Sequence, residues 1–126
     1  MLYATELSRE RPAVRVLFVD DSPVARATTR KLIAEKGLDV TVCSSLAEAR
    51  QVDPSTLGAA LLDLEVGEER GTDLATVLRT RMPALPIAFL TAAAKGELYE
   101  SARTFGPVFN KVSELEQAIG WLVDLR

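Results

Sequence analysis

Short runs of apolar residues alternate along this chain with stretches whose apolar positions recur every three or four residues. "VRVLFV" (Val14–Val19) reads as a strand. Ser22 stands where a helix N-cap belongs and Pro23 where the first helical residue belongs. Ala25, Thr28, Thr29, Leu32 and Ile33 then share one helical face, and Gly37 is a natural stop. The alternating, β-branched "LDVTVC" (Leu38–Cys43) predicts a second strand. Ser45 with Glu48 makes a capping-box pattern for a short second helix ending near Pro54.

"GAALLDL" (Gly58–Leu64) is a third strand that ends in Asp63, followed by a loop bracketed by Gly67 and Gly71. Leu74, Val77, Leu78 and Met82 predict a third helix, and "PIAFLT" (Pro86–Thr91) a fourth strand. Leu98, Ala102 and Phe105 suggest a short fourth helix, and "PVFNK" (Pro107–Lys111) a weaker fifth strand. Ser113 and Glu116 form a second capping-box pattern. It precedes a final amphipathic helix through Leu115, Ala118, Ile119, Leu122 and Val123.

Five strand–helix alternations predict an α/β fold: a doubly wound, five-stranded parallel sheet with five helices covering both faces. Strands covered on both sides should read as continuous apolar runs, and three of these do. No internal linker or repeat divides the chain.

Composition narrows the chemistry. The chain has 126 residues, one domain's worth, with 48% hydrophobic and 26% charged residues. A net charge of −3 gives no basic footprint for nucleic acid. No apolar run reaches the length of a membrane span, and "MLYATELSRERP" lacks the apolar centre of a signal peptide. Residues 1–12 are expected to form a flexible tail before a domain over 13–126. The single cysteine, Cys43, allows no internal disulfide and reads as a small buried apolar residue. A cytoplasmic protein is expected. Histidine is absent, which removes histidine bases, histidine-activated nucleophiles and histidine metal sites.

In an open parallel sheet, ligands bind beyond the carboxyl ends of the strands, where strand order reverses. Strand one ends in Asp20 and Asp21, strand three in Asp63, strand four in Thr91 and strand five in Lys111. Any one of these is ordinary alone: a cap, a β-branched residue, a solvated amine. Their convergence on one edge is what points to a site. Crowded carboxylates raise one another's pKa unless a cation joins them, and an all-oxygen site suits Mg²⁺, or Mn²⁺ in its place. With a metal and Lys111, the pocket complements a phosphoryl group, and an aspartate inside it can act as the nucleophile.

These residues resemble the receiver domain of two-component response regulators. The resemblance spans Val14 to Leu125 and rests on "VDDS", "LLDL", Gly71 eight residues after Asp63, "LTA", and Lys111. It implies a flavodoxin-like sheet with strand order 2-1-3-4-5. Asp63 would be the phosphoacceptor, Asp21 a direct Mg²⁺ ligand assisted by Asp20, and the backbone carbonyl of Glu65 a further ligand. Thr91 and Lys111 would hold the phosphoryl group. The donor would be a phosphohistidine on a histidine kinase or phosphotransfer protein, and an unidentified downstream protein would be the target. No nucleic-acid or membrane contact is expected of this chain itself. Such a domain is a signalling phosphoacceptor rather than an enzyme, catalysing at most its own phosphorylation and dephosphorylation.

The departures from the family concern transmission. The position three residues before the lysine, usually Phe or Tyr, is Val108, and Phe109 one step on should point to the other face as core. Lys111 is followed by Val112 instead of Pro, so a trans bond is expected, a non-proline cis bond costing about 3–4 kcal/mol. Val66-Gly67 replaces the customary Met-Pro, and Ala93 stands where a larger polar residue is common. Rearrangement of the loops Glu65–Gly71 and Ala92–Gly96 is then the expected output. Two other readings stay open: a pseudo-receiver that binds proteins without phosphorylation, and a small Mg²⁺-dependent phosphatase with an aspartate nucleophile. The chain stops one residue after the last apolar helix position, so a stand-alone receiver and a piece of a longer protein are both open.

Overall fold

Five parallel strands form one sheet in the order β2-β1-β3-β4-β5. They are β1 (Arg15–Val19), β2 (Asp39–Cys43), β3 (Ala59–Asp63), β4 (Ile87–Thr91) and β5 (Val108–Asn110). The structure is a computed structural model that describes residues 14–92 and 96–126. The tail expected over residues 1–12, Ala93 and most of the loop Ala92–Gly96 lie outside the described residues. The helices are α1 (Pro23–Glu35), α2 (Leu46–Ala49), α3 (Gly71–Arg81), α4 (Glu97–Arg103) and α5 (Leu115–Val123).

Side chains alternate across each strand, so the sheet separates two cores. Leu17, Val19, Leu62 and Phe89 pack with residues of α2, α3 and α4 on one face. Val16, Phe18, Leu61 and Leu90 pack with α1 and α5 through Ile33, Ile119 and Leu122 on the other. Every residue of β3 and β4 is buried, which is why both read as unbroken apolar runs. Cys43 is buried, and Trp121 packs against the α1–α5 face.

Side-chain caps set the starts of α1 and α2. The Ser22 hydroxyl accepts the Ala25 N–H at 3.3 Å, with Pro23 as the first residue of α1. The Ser45 hydroxyl accepts the Glu48 N–H at 3.1 Å, while the Glu48 carboxylate accepts from Ser44 N at 2.8 Å. That is a capping box shifted back by one residue.

Three local expectations are corrected. Val77 is 39% exposed, and Ala75 is buried in α3 alongside Leu74 and Leu78. Thr28 is exposed, leaving Thr29 and Ile33 as the buried residues of α1. The capping box at Ser113 and Glu116 does not form. Instead the Asn110 carboxamide oxygen accepts the N–H groups of Val112 at 2.8 Å and Ser113 at 2.9 Å. The Glu114 carboxylate in turn accepts the Asn110 N–H at 2.8 Å. An asparagine reaches the amides two and three residues ahead more readily than helix nucleation can claim them, so α5 begins only at Leu115.

The segment after Asp63 is a small hairpin rather than an open loop. Glu65–Val66 pairs antiparallel with Glu69–Arg70 around a turn in which Gly67 has φ +63°. Val66 is buried in the core beneath it. Gly71 closes the hairpin so tightly that a Cβ there would overlap the Asp63 carbonyl oxygen.

Candidate functional site

The carboxyl ends of β1, β3, β4 and β5 bring Asp20, Asp63, Thr91 and Lys111 to one edge, as the strand ends predict. Asp20 follows β1 and is fully buried. Its main chain is fixed by Asp20 N donating to Cys43 O at 3.1 Å and by the Arg26 guanidinium donating to Asp20 O at 2.9 Å. One carboxylate oxygen, Oδ1, accepts the Ser22 N–H at 2.9 Å. The other, Oδ2, lies 2.8 Å from Lys111 Nζ, yet no hydrogen bond is directed at it.

Asp63 ends β3 and is 6% exposed. Its Oδ2 accepts a hydrogen bond from Lys111 Nζ at 3.0 Å, and its Oδ1 lies 3.4 Å from Glu65 N. Burial pushes its pKa up to about 6; the Lys111 hydrogen bond opposes this, and the charge of Asp20 adds to it. Burial draws the Lys111 pKa down, but the two carboxylates outweigh it and the ammonium is held above its usual value. Thr91, the last residue of β4, is buried, and its carbonyl accepts the Lys111 N–H at 2.9 Å. Asp63, Glu65, Thr91, Ala92 and Lys111 line one open cleft.

Asp21 differs from its neighbour in being exposed. Its Oδ2 accepts the Gly67 N–H at 3.0 Å, joining the end of β1 to the hairpin turn. Carboxylate oxygens of Asp20, Asp21 and Asp63 lie within 4.8 Å of one another. Lys111 supplies one positive charge against these three. Two buried carboxylates that share one ammonium, a third, exposed carboxylate and an open side for water suit a hard divalent cation such as Mg²⁺.

On the far side of the cleft, Val108 packs against the α2–α4 core and Phe109 against the α1–α5 core, so adjacent residues face opposite sides as the strand period requires. The Lys111–Val112 peptide is trans, and Val112 is 88% exposed. Two contributors were not legible as such. Asn110 organises the turn after Lys111, and the pattern "NKVSE" contained that signal as an Asx turn. Gly67 contributes only its main-chain N–H, for which a side-chain pattern gives no sign.

A family model described as response regulator receiver domain matches residues 16–108. Among curated proteins, the alginate biosynthesis transcriptional regulatory protein AlgB of Pseudomonas aeruginosa is 27% identical over 95 residues, covering 75% of this chain and 21% of that protein. Ethylene receptor 2 of Arabidopsis thaliana is 30% identical over 100 residues, covering 74% of this chain and 13% of the receptor. The chain thus spans about a fifth or less of the length of these relatives. Among solved structures, the non-phosphorylated HemR receiver domain of Leptospira biflexa superposes with a TM-score of 0.79 at 23% identity, covering 89% of this chain and 93% of that one. The response regulator TrrA of Thermotoga maritima, in complex with Mg²⁺ and BeF, gives a TM-score of 0.75 at 24% identity, covering 86% and 98%. At these identities the two structures establish the shared fold.

Proposed function

This chain belongs to the response regulator receiver domain family, and from that membership we propose that it is a phosphoacceptor that takes a phosphoryl group onto Asp63. The donor is a phosphohistidine on a histidine kinase or phosphotransfer protein. A carboxylate oxygen of Asp63 attacks phosphorus, the P–N bond breaks as the P–O bond forms, and the imidazole leaves with its electron pair. The supporting observation is the placement of the Asp63 carboxylate 3.0 Å from Lys111 Nζ within a cleft that Thr91 also lines.

In this reading Lys111 turns its ammonium from the carboxylate toward the incoming phosphoryl oxygens, and the Thr91 hydroxyl meets another of them. Asp20, Asp21, Asp63 and the Glu65 carbonyl would hold Mg²⁺, which when bound supplies the remaining positive charge against the phosphoryl oxygens. Asp63 needs its carboxylate ionised to attack. Its metal-free pKa of about 6 leaves it mostly so at neutral pH.

The protein is then a signalling module in the cytoplasm rather than a catalyst acting on other substrates, and its output is passed to a downstream protein. Among the described residues no helix is long and apolar enough to cross a membrane. Because Val108 stands in the switch position and already packs in the core, we assign the output to movement of the Glu65–Gly71 segment rather than to an aromatic side chain. Incubation with Mg²⁺ and acetyl phosphate followed by intact mass measurement tests the reading. One hydroxylamine-sensitive phosphoryl adduct supports it. No adduct with any small-molecule donor or phosphohistidine protein would favour a protein-binding module without phosphorylation.

A further inference from the structure

The Glu65–Arg70 hairpin has only two residues in each arm, too few to be stable without outside support. Its base is secured: Gly71 N donates to Leu64 O at 2.9 Å, and Val66 is buried. Its tip is held differently. Glu69 lies 3.7 Å from Arg50 at the end of α2, a half-exposed pair of the kind that contributes little. The hydrogen bond from Gly67 N to Asp21 Oδ2, at 3.0 Å, spans 46 residues and ends on a carboxylate of the three-aspartate cluster.

We propose that this hairpin is a metal-coupled latch: the Gly67 amide orients the Asp21 carboxylate for the cation, and the cation in turn tightens closure of the hairpin. The inference rests on the reading of Asp20, Asp21 and Asp63 as the Mg²⁺ site. Asp21 is exposed, so without a partner its carboxylate would be free to rotate and would lose that freedom on ligating. The Gly67 N–H engages one oxygen and leaves the other available, which is how outer partners fix metal-binding side chains. Glycine stands at this position because the turn, at φ +63°, is a conformation that residues with a side chain rarely adopt.

Coupling of this kind is reciprocal. Whatever closure of the turn adds to cation affinity, the cation returns as a less frequently open turn. The tip also carries Glu68 and Glu69, both exposed, so the hairpin presents a different acidic surface when held than when released. Metal occupancy is thereby legible at the surface before any phosphoryl group arrives.

Amide hydrogen exchange of Gly67, followed by NMR on the full chain without and with saturating Mg²⁺, tests the latch. Exchange at Gly67 is expected to slow by about 10-fold while amides in α5 are unchanged. Unchanged or faster exchange at Gly67 would overturn it. As a second measurement, Gly67→Pro removes the donor together with the φ +63° turn that presents it, and should weaken Mg²⁺ binding, read by calorimetry, by about 10-fold. Equal affinity in a folded variant contradicts the proposal, and the exchange experiment stands whether or not the variant folds. If the unaltered protein shows no saturable Mg²⁺ binding, the metal site and the latch fall together. If it binds Mg²⁺ with Gly67 exchange unaffected, the latch alone is wrong.

Discussion

Lys111 Nζ lies 2.8 Å from Asp20 Oδ2, and that buried oxygen has no hydrogen bond directed at it. The same ammonium also serves Asp63 at 3.0 Å, so one cation is shared between two buried carboxylates from different strands. Buried charges are tolerated when paired, and breaking such an arrangement leaves the survivors exposed to the full desolvation cost.

Removing the shared cation should therefore be costly. Lys111→Met is expected to destabilise the metal-free protein by about 2–3 kcal/mol in urea denaturation, because Asp20 and Asp63 would face each other unscreened. Saturating Mg²⁺ should recover much of that loss. A variant as stable as the original without metal would mean that the pair carries no net weight.

The pKa of Asp63 gives a pH dependence of definite sign. It rises from an ordinary 3.8 to about 6 on folding, so between those values the folded state binds the proton more tightly than the unfolded chain. The metal-free protein should therefore gain stability from this group as pH falls through 6, and the gain should level off below 3.8. At full extent the gain is about 3 kcal/mol, of which about 1 kcal/mol falls between pH 7 and pH 5. Asp63→Asn should remove this part of the slope, and denaturation curves at pH 7 and pH 5 for both proteins measure the difference.

Asn110 holds the turn beyond Lys111 through the N–H groups of Val112 and Ser113. Asn110→Ala should cost about 1 kcal/mol of stability and slow phosphorylation by loosening the lysine's approach. Val112→Pro, although it restores the residue common in the family, removes an N–H that is hydrogen-bonded here and should destabilise by about 1 kcal/mol. A stabilised Val112→Pro would show that the asparagine turn is dispensable.

Gly71 has no room for a side chain against the Asp63 carbonyl. Gly71→Ala is expected to shift the end of β3 and reduce both stability, by about 2 kcal/mol, and phosphorylation at Asp63. Gly120→Ala is the control, since a Cβ there meets nothing within 4 Å. It should leave phosphorylation unchanged and, by replacing a glycine inside α5, raise stability by about 0.5–1 kcal/mol.

The strands and the convergent site were legible because both depend on residue type and period. β1, β3 and β4 are covered on both faces and read as apolar runs, and a strand's end fixes which side chain reaches the edge. Thus Asp20, Asp63, Thr91 and Lys111 could be placed together from sequence. What was not legible depends on main-chain geometry. "EVGEERG" reads as a polar loop, yet it folds as a hairpin because Val66 finds a core site and Gly67 permits the turn. "SELE" matches a capping box, but the nearby Asn110 claims the amides first. Val77 matches the helical stripe by period alone. Its neighbour Ala75 is the residue that α3 buries, where a small side chain suffices.

Phosphoryl acceptance at Asp63 can be read directly at the residue. Trapping with hydroxylamine after incubation with Mg²⁺ and acetyl phosphate converts an aspartyl phosphate into a hydroxamate, which peptide mass mapping locates. A hydroxamate is expected at Asp63, dependent on Mg²⁺ and absent in Asp63→Asn. Modification at another carboxylate, or an unchanged yield in Asp63→Asn, would contradict it.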